Sequence, residues 1–119
     1  MGQPLRQIFL IALTATAACR EGTACTGLSL PAINVVALDS VTGVAVAREV
    51  AAVARENAYV DTLRAFSDSM LSGVYDRAGR YQVEVSHLGY AVWRVSGVRV
   101  TRDECHVHPV IITARLVPH

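Results

Sequence analysis

The feature that most constrains the fold is a six-residue alternation, Tyr81-Gln82-Val83-Glu84-Val85-Ser86, in which each apolar side chain is followed by a polar one. Extended backbone points successive side chains to opposite sides, so this segment turns Tyr81, Val83 and Val85 to a core and the other three to water. Before it, Val74-Tyr75 runs into Asp76-Arg77-Ala78-Gly79, whose Asp and Gly suit a tight turn, and the two together predict a hairpin. After it, His87-Leu88-Gly89-Tyr90 forms a second turn. Ala91-Val92-Trp93-Arg94-Val95 then starts a strand with Ala91, Trp93 and Val95 on one face.

The same reading extends in both directions. A turn at Ser96-Gly97 precedes Val98-Arg99-Val100-Thr101, and Arg102-Asp103-Glu104 makes a polar corner before Cys105. The last strand, residues 110–117, places Val110, Ile112, Ala114 and Leu116 on one side and ends at Pro118. Near the other end, Ala32-Ile33-Asn34-Val35-Val36-Ala37-Leu38 is apolar on both faces and suits a buried strand, with Asp39-Ser40-Val41-Thr42-Gly43 turning the chain. Residues 44–65 are ambiguous, because Val46, Val50 and Val53 also fit helical spacing. Two strands, at about 50–55 and 58–64 around a Glu56-Asn57 turn, are preferred for the β-branched and aromatic run Tyr59-Val60-Asp61-Thr62-Leu63. Residues 65–72 are expected to form a loop, with Met70 and Leu71 tucking back. The fold class is therefore all-β, about seven short strands in an immunoglobulin-like sandwich.

Three pieces resemble the carboxypeptidase regulatory-like domain family. They are Ile33-Asn34-Val35-Val36-Ala37-Leu38-Asp39-Ser40-Val41-Thr42-Gly43, the strand Ala78-Gly79-Arg80-Tyr81-Gln82-Val83-Glu84-Val85, and Gly89-Tyr90. The resemblance covers roughly residues 32–116. It implies a seven-stranded transthyretin-like sandwich and an accessory, adhesive or stabilising role beside a partner. It implies a fold more firmly than an activity, and no cofactor is expected.

The N-terminus reads as an export signal, with Arg6, the apolar run Ile8-Phe9-Leu10-Ile11-Ala12-Leu13, and then the small residues Thr14-Ala15-Thr16-Ala17-Ala18. The run is well short of the roughly 20 residues that span a bilayer as a helix. Residues 1–18 are thus a signal peptide, 19–31 a tether and 32–117 the domain, leaving one unit of ordinary size. Two cleavage readings stand side by side. Ala15-Thr16-Ala17 suits ordinary signal peptidase, whereas Ala17-Ala18-Cys19 resembles a lipoprotein signal that would leave Cys19 lipidated, although Thr16 stands where such signals usually have Leu.

Cysteine arithmetic bears on that choice. The chain has three cysteines, and a lipid on Cys19 leaves Cys25 and Cys105 as an even pair in an oxidising compartment. Cys25 lies before the first strand and Cys105 before the last, so a bridge would close a loop of about 80 residues. Two free thiols or metal ligands remain the alternative. The expected location is extracytoplasmic: periplasmic, secreted or an outer-membrane lipoprotein.

Charge and motif content narrow the function. From Cys19 onward, ten arginines balance ten acidic residues. That argues against nucleic acid, whose phosphates demand a basic surface. The basic residues are all Arg, as codon bias in a GC-rich bacterial genome would give. No His-Glu-x-x-His, Gly-x-Ser-x-Gly or glycine-rich phosphate loop occurs, and no catalytic residue is assigned. His106 and His108, two apart on an expected strand, offer two imidazoles on one side to a metal, with Asp103, Glu104, His87 or His119 as further ligands. Trp93 is expected as the central core aromatic, leaving Tyr90, Val92 and Arg94 as an outward contact strip. The leading expectation is an exported, non-enzymatic binding or structural module with a protein or carbohydrate partner, touching membrane only through Cys19. A periplasmic metal-binding protein is the alternative.

Overall fold

The computed structural model describes Cys25 and residues 27–119. The expected signal, residues 1–18, and Cys19 lie outside the described residues. Among the described residues the chain forms seven strands and no helix: β1 (Pro31–Asp39), β2 (Ala51–Glu56), β3 (Tyr59–Ala65), β4 (Met70–Tyr75), β5 (Gly79–His87), β6 (Tyr90–Val100) and β7 (Val110–Leu116). They join in one sheet in the order β6-β5-β2-β3-β4-β1-β7. All neighbours are antiparallel except β1 and β7, which run parallel.

The sheet curls until its two edge strands touch. The Ala91 amide donates to the Val117 carbonyl at 2.8 Å, and the His119 amide to the Gly89 carbonyl at 3.0 Å. The bend falls in β3, which pairs with β2 from Tyr59 to Leu63 but with β4 only at Arg64 and Ala65. Inside the curl the alternating apolar positions meet. Ile33, Val35, Leu71, Tyr81, Val83, Val85 and Leu116 are fully buried, and Ala52, Ala54 and Ala114 fill the closer approaches.

The ambiguous stretch resolves as two strands, each displaced by about one residue from expectation: Glu56 ends β2 and the turn is Asn57-Ala58, where Asn57 takes a left-handed φ of 53°. Three expectations are corrected. Residues 65–72 are not all loop: β4 starts at Met70, because Met70, Leu71 and Ser72 pair with Val36, Val35 and Asn34. Polar Ser72 hid this strand, and its hydroxyl is satisfied inside by donating to Asn34 Oδ1 at 2.6 Å.

Ser96-Gly97 is not a turn between strands but a bulge within the continuous β6. Tyr81 faces Val98 while Val83 faces Val95, so β6 carries one extra residue. Gly97 takes φ +71° there, a conformation that costs glycine little. Trp93 is not the central aromatic either. It packs half-buried against the core from the outer strand β6, whereas Tyr81, on the inner strand β5, is 1 % exposed.

Candidate functional site

Cys25 and Cys105 are joined by a disulfide with Cα atoms 5.2 Å apart across 80 residues of sequence. The bridge fits an oxidising, extracytoplasmic compartment. Its downstream half sits in a corner organised by Asp103. One oxygen, Oδ1, accepts from the Cys105 amide at 2.8 Å and the His106 amide at 2.9 Å, and the Asp103 amide donates to the His106 carbonyl. These amide donors, first that of His106 and then that of Cys105, hold the Asp103 carboxyl down at about 2.

That corner also settles the geometry of the histidine pair. Residues 106 and 108 are not on a strand; they flank Val107, which is 1 % exposed and bridges to Arg102. Both ring nitrogens of His108 face protein groups, Nδ1 at 3.0 Å from Thr101 Oγ1 and Nε2 at 3.4 Å from Asp103 Oδ2. Among the described residues, no three His, Cys, Asp or Glu side chains converge as a metal site requires.

The expected contact strip divides. Tyr90 packs half-buried on the core, and its hydroxyl donates to Asp39 Oδ2 at 2.9 Å, because a register shift between Val85 and His87 rotates it inward. Asp39 Oδ1 accepts from the amides of Val41 and Thr42. The Thr42 amide, then the Tyr90 hydroxyl and the Val41 amide, lower the carboxyl below its ordinary value. Val92 and Arg94 do point outward, Val92 at 48 % exposure and Arg94 with Nε 2.7 Å from Glu84 Oε2. Val92 also borders a groove of about 580 Å³ with Glu49, Ser86, His87, Leu88 and His119.

A more concentrated feature lies at the bend between β3 and β4. Phe66 is 76 % exposed and Tyr75 56 % exposed, and the two border a pair of grooves. One, about 260 Å³, is lined by Asp61, Thr62, Arg64 and Gly73; the other, about 360 Å³, by Leu28, Leu30, Pro31 and Met70. Gly73 is required: a Cβ there would stand 2.5 Å from Leu63 Cδ2 and 3.3 Å from its Cα.

The next residue, Val74, is fully buried at φ +58°, a strained conformation for a β-branched side chain. Its amide is turned away from the ladder to donate to Asp61 Oδ2 at 2.8 Å. The first groove is therefore lined by Phe66, Tyr75, the Asp61 carboxylate and Arg64, whose guanidinium has no ion-pair partner among the described residues. Such a set combines apolar ring surface with a carboxylate and a guanidinium, the chemistry that suits an amphipathic partner. Sequence reasoning passed over Phe66 because it was placed inside a loop; the usable signal was an aromatic heading the polar run Ser67-Asp68-Ser69. No family model and no curated protein matches this chain.

Proposed function

We propose that the chain is an exported, non-enzymatic binding module that engages a protein or glycan partner through the Phe66 and Tyr75 face. The observation that carries this reading is the pair of exposed aromatic rings bordering two adjoining grooves. Exposed aromatics are costly to leave in water and are the side chains from which interfaces draw most of their energy. The proposed architecture is a transthyretin-like sandwich of the carboxypeptidase regulatory-like kind.

Two features support that architecture: the closing contact of β6 with the segment after β7, and a tyrosine corner. In the latter, the Tyr81 hydroxyl donates to the Arg77 carbonyl at 2.9 Å, four residues upstream, as in Greek-key sandwiches. Arg77 closes the arrangement, donating to Tyr81 Oη and Glu56 Oε1 with its guanidinium 3.8 Å from the Tyr59 ring centroid. Export and the choice between a free and a lipidated N-terminus at Cys19 belong to the same proposal, and the disulfide supports the oxidising location.

The test is site-specific photocrosslinking in the producing cell. Benzoylphenylalanine replacing Phe66 is expected to give a discrete adduct, while the same residue replacing exposed Val41 gives none. Equal labelling at both positions, or none at either, rejects the face.

A further inference from the structure

Charge on this molecule is balanced in number but not in place. On β2, buried Ala52 and Ala54 face the core, so Ala51, Val53 and Arg55 face outward. The ladder carries that outward face across four strands: Arg55 lies opposite Val60 of β3 and Gln82 of β5, Arg64 follows buried Leu63, the partner of Ala52, and so takes the outward position, Glu84 lies opposite Arg94, and Arg80 opposite Arg99. Five arginines therefore share the outer face of β3, β2, β5 and β6 with a single strand carboxylate, Glu84, which is already paired with Arg94. Arg55, Arg64, Arg80 and Arg99 are exposed and have no ion-pair partner among the described residues.

Two of these arginines stand directly opposite each other. Arg80 and Arg99 are cross-strand partners, an arrangement in which like charges repel and cost stability. Arg55 lies diagonal to Arg80, since its own partner is Gln82, two residues along β5. An anionic surface relieves that repulsion and matches the guanidinium forks, which bind phosphate in bidentate fashion.

We infer that this arginine face lies against the anionic headgroups of a phospholipid surface. The choice of a membrane over a soluble polyanion comes from where the chain leaves the domain. Cys25 is bound to Cys105, six residues beyond Arg99, and Arg99 ends the face. Cys19 lies only six residues before Cys25, a reach of at most about 21 Å when extended. Were the bridge absent, the leash would run twelve residues to β1 at Pro31, about 40 Å. The disulfide thus shortens the tether and roots it in the corner that follows β6, six residues along the chain from Arg99. This part of the argument rests on the lipidated reading of Cys19; the charge face itself does not.

The test separates the two. Full-length chain carrying Cys19→Ser, which has no acyl anchor, is mixed with vesicles of phosphatidylcholine alone or with 30 mole per cent phosphatidylglycerol, and co-sedimentation is measured. Binding is expected to be stronger to the anionic vesicles and to weaken as salt rises. Adding Arg80→Gln and Arg99→Gln is expected to reduce the anionic-vesicle affinity roughly fivefold for each residue, leaving binding to neutral vesicles unchanged. Equal binding to both vesicle types, or no effect of the two substitutions, overturns the inference. So does polyphosphate in solution binding as tightly as the anionic vesicles, since it assigns the face to a soluble polyanion. Intact mass of the native protein reports independently on the anchor: no diacylglyceryl group with vesicle binding retained removes the lipidated reading and leaves the face.

Discussion

Removing the Cys25–Cys105 bridge by Cys25→Ala with Cys105→Ala tests what a bond outside every strand contributes. The cysteines are separated by 80 residues, and the chain-entropy relation for a loop of that length gives about 4.5 kcal/mol of stabilisation at 25 °C, exerted on the unfolded chain. Little of this should be offset by native-state change. The Cys105 corner keeps its Asp103 hydrogen bonds, and Cys25 and residues 27–30 belong to no strand. Urea unfolding followed by far-ultraviolet circular dichroism reads the effect directly. With a denaturant slope of roughly 1.5 kcal/mol per molar, the midpoint falls by about 3 M, a large share of the 5–15 kcal/mol typical of a domain. The folded-state spectrum should not change. A midpoint shift below about 1 M refutes the unfolded-state argument, and a lost β spectrum in native buffer refutes the claim that the bridge is peripheral to the sheet.

Other expectations follow from single contacts. Asp61→Ala strips the buried Val74 amide of its acceptor and should destabilise by about 1–3 kcal/mol in urea unfolding; a loss under 0.5 kcal/mol speaks against that bond. Gly97→Val forces a β-branched residue to φ +71° and should cost about 1–2 kcal/mol, whereas a neutral result means the bulge has relaxed. For acid stability, the Asp103 carboxyl is depressed in the folded state to about 2 from an ordinary 3.8, so its contribution is present above the ordinary value and lost as pH falls through about 2. Asp103→Asn should flatten that part of the melting-temperature profile, and an unchanged profile denies the corner its role. Tyr81→Phe deletes the hydroxyl that donates to the Arg77 carbonyl and accepts from its side chain, and should cost roughly 1–2 kcal/mol.

Strands written in strict alternation were legible because period two has one structural meaning. Tyr81, Val83 and Val85, and again Ala114 and Leu116, are inside as the pattern requires. What escaped was structure held by polar or small residues. β4 begins Met70-Leu71-Ser72-Gly73, where Ser72 is satisfied by Asn34 and Gly73 is imposed by the nearness of Leu63. Neither requirement has a local signature, since each depends on a residue at least ten positions away. The bulge at Gly97 was misread for a related reason: a glycine at positive φ looks the same in a turn and in a continuous strand until the opposite register is known. Tyr90 was assigned outward by counting from Trp93, and a second register shift turned it to Asp39. The disulfide partners were legible from arithmetic, but the aromatic face at Phe66 depended on where β3 ends and β4 begins.

The same distinction between count and placement governs the charges. Among the described residues, four carboxylates accept from backbone amides: Asp39 from Val41 and Thr42, Glu56 from Arg80, Asp61 from Val74, and Asp103 from Cys105 and His106. Short acidic side chains suit that role because they reach neighbouring amides and cap turns. Arginine, with donors only, cannot cap an amide, and its long stem covers an outward strand position while its charge stays in water. Hydrogen-bonding chemistry therefore turns these four acids toward backbone amides, while Arg55, Arg80 and Arg99 remain on the outward sheet face. A chain of near-zero net charge thereby carries one basic face, which the total charge alone would not reveal.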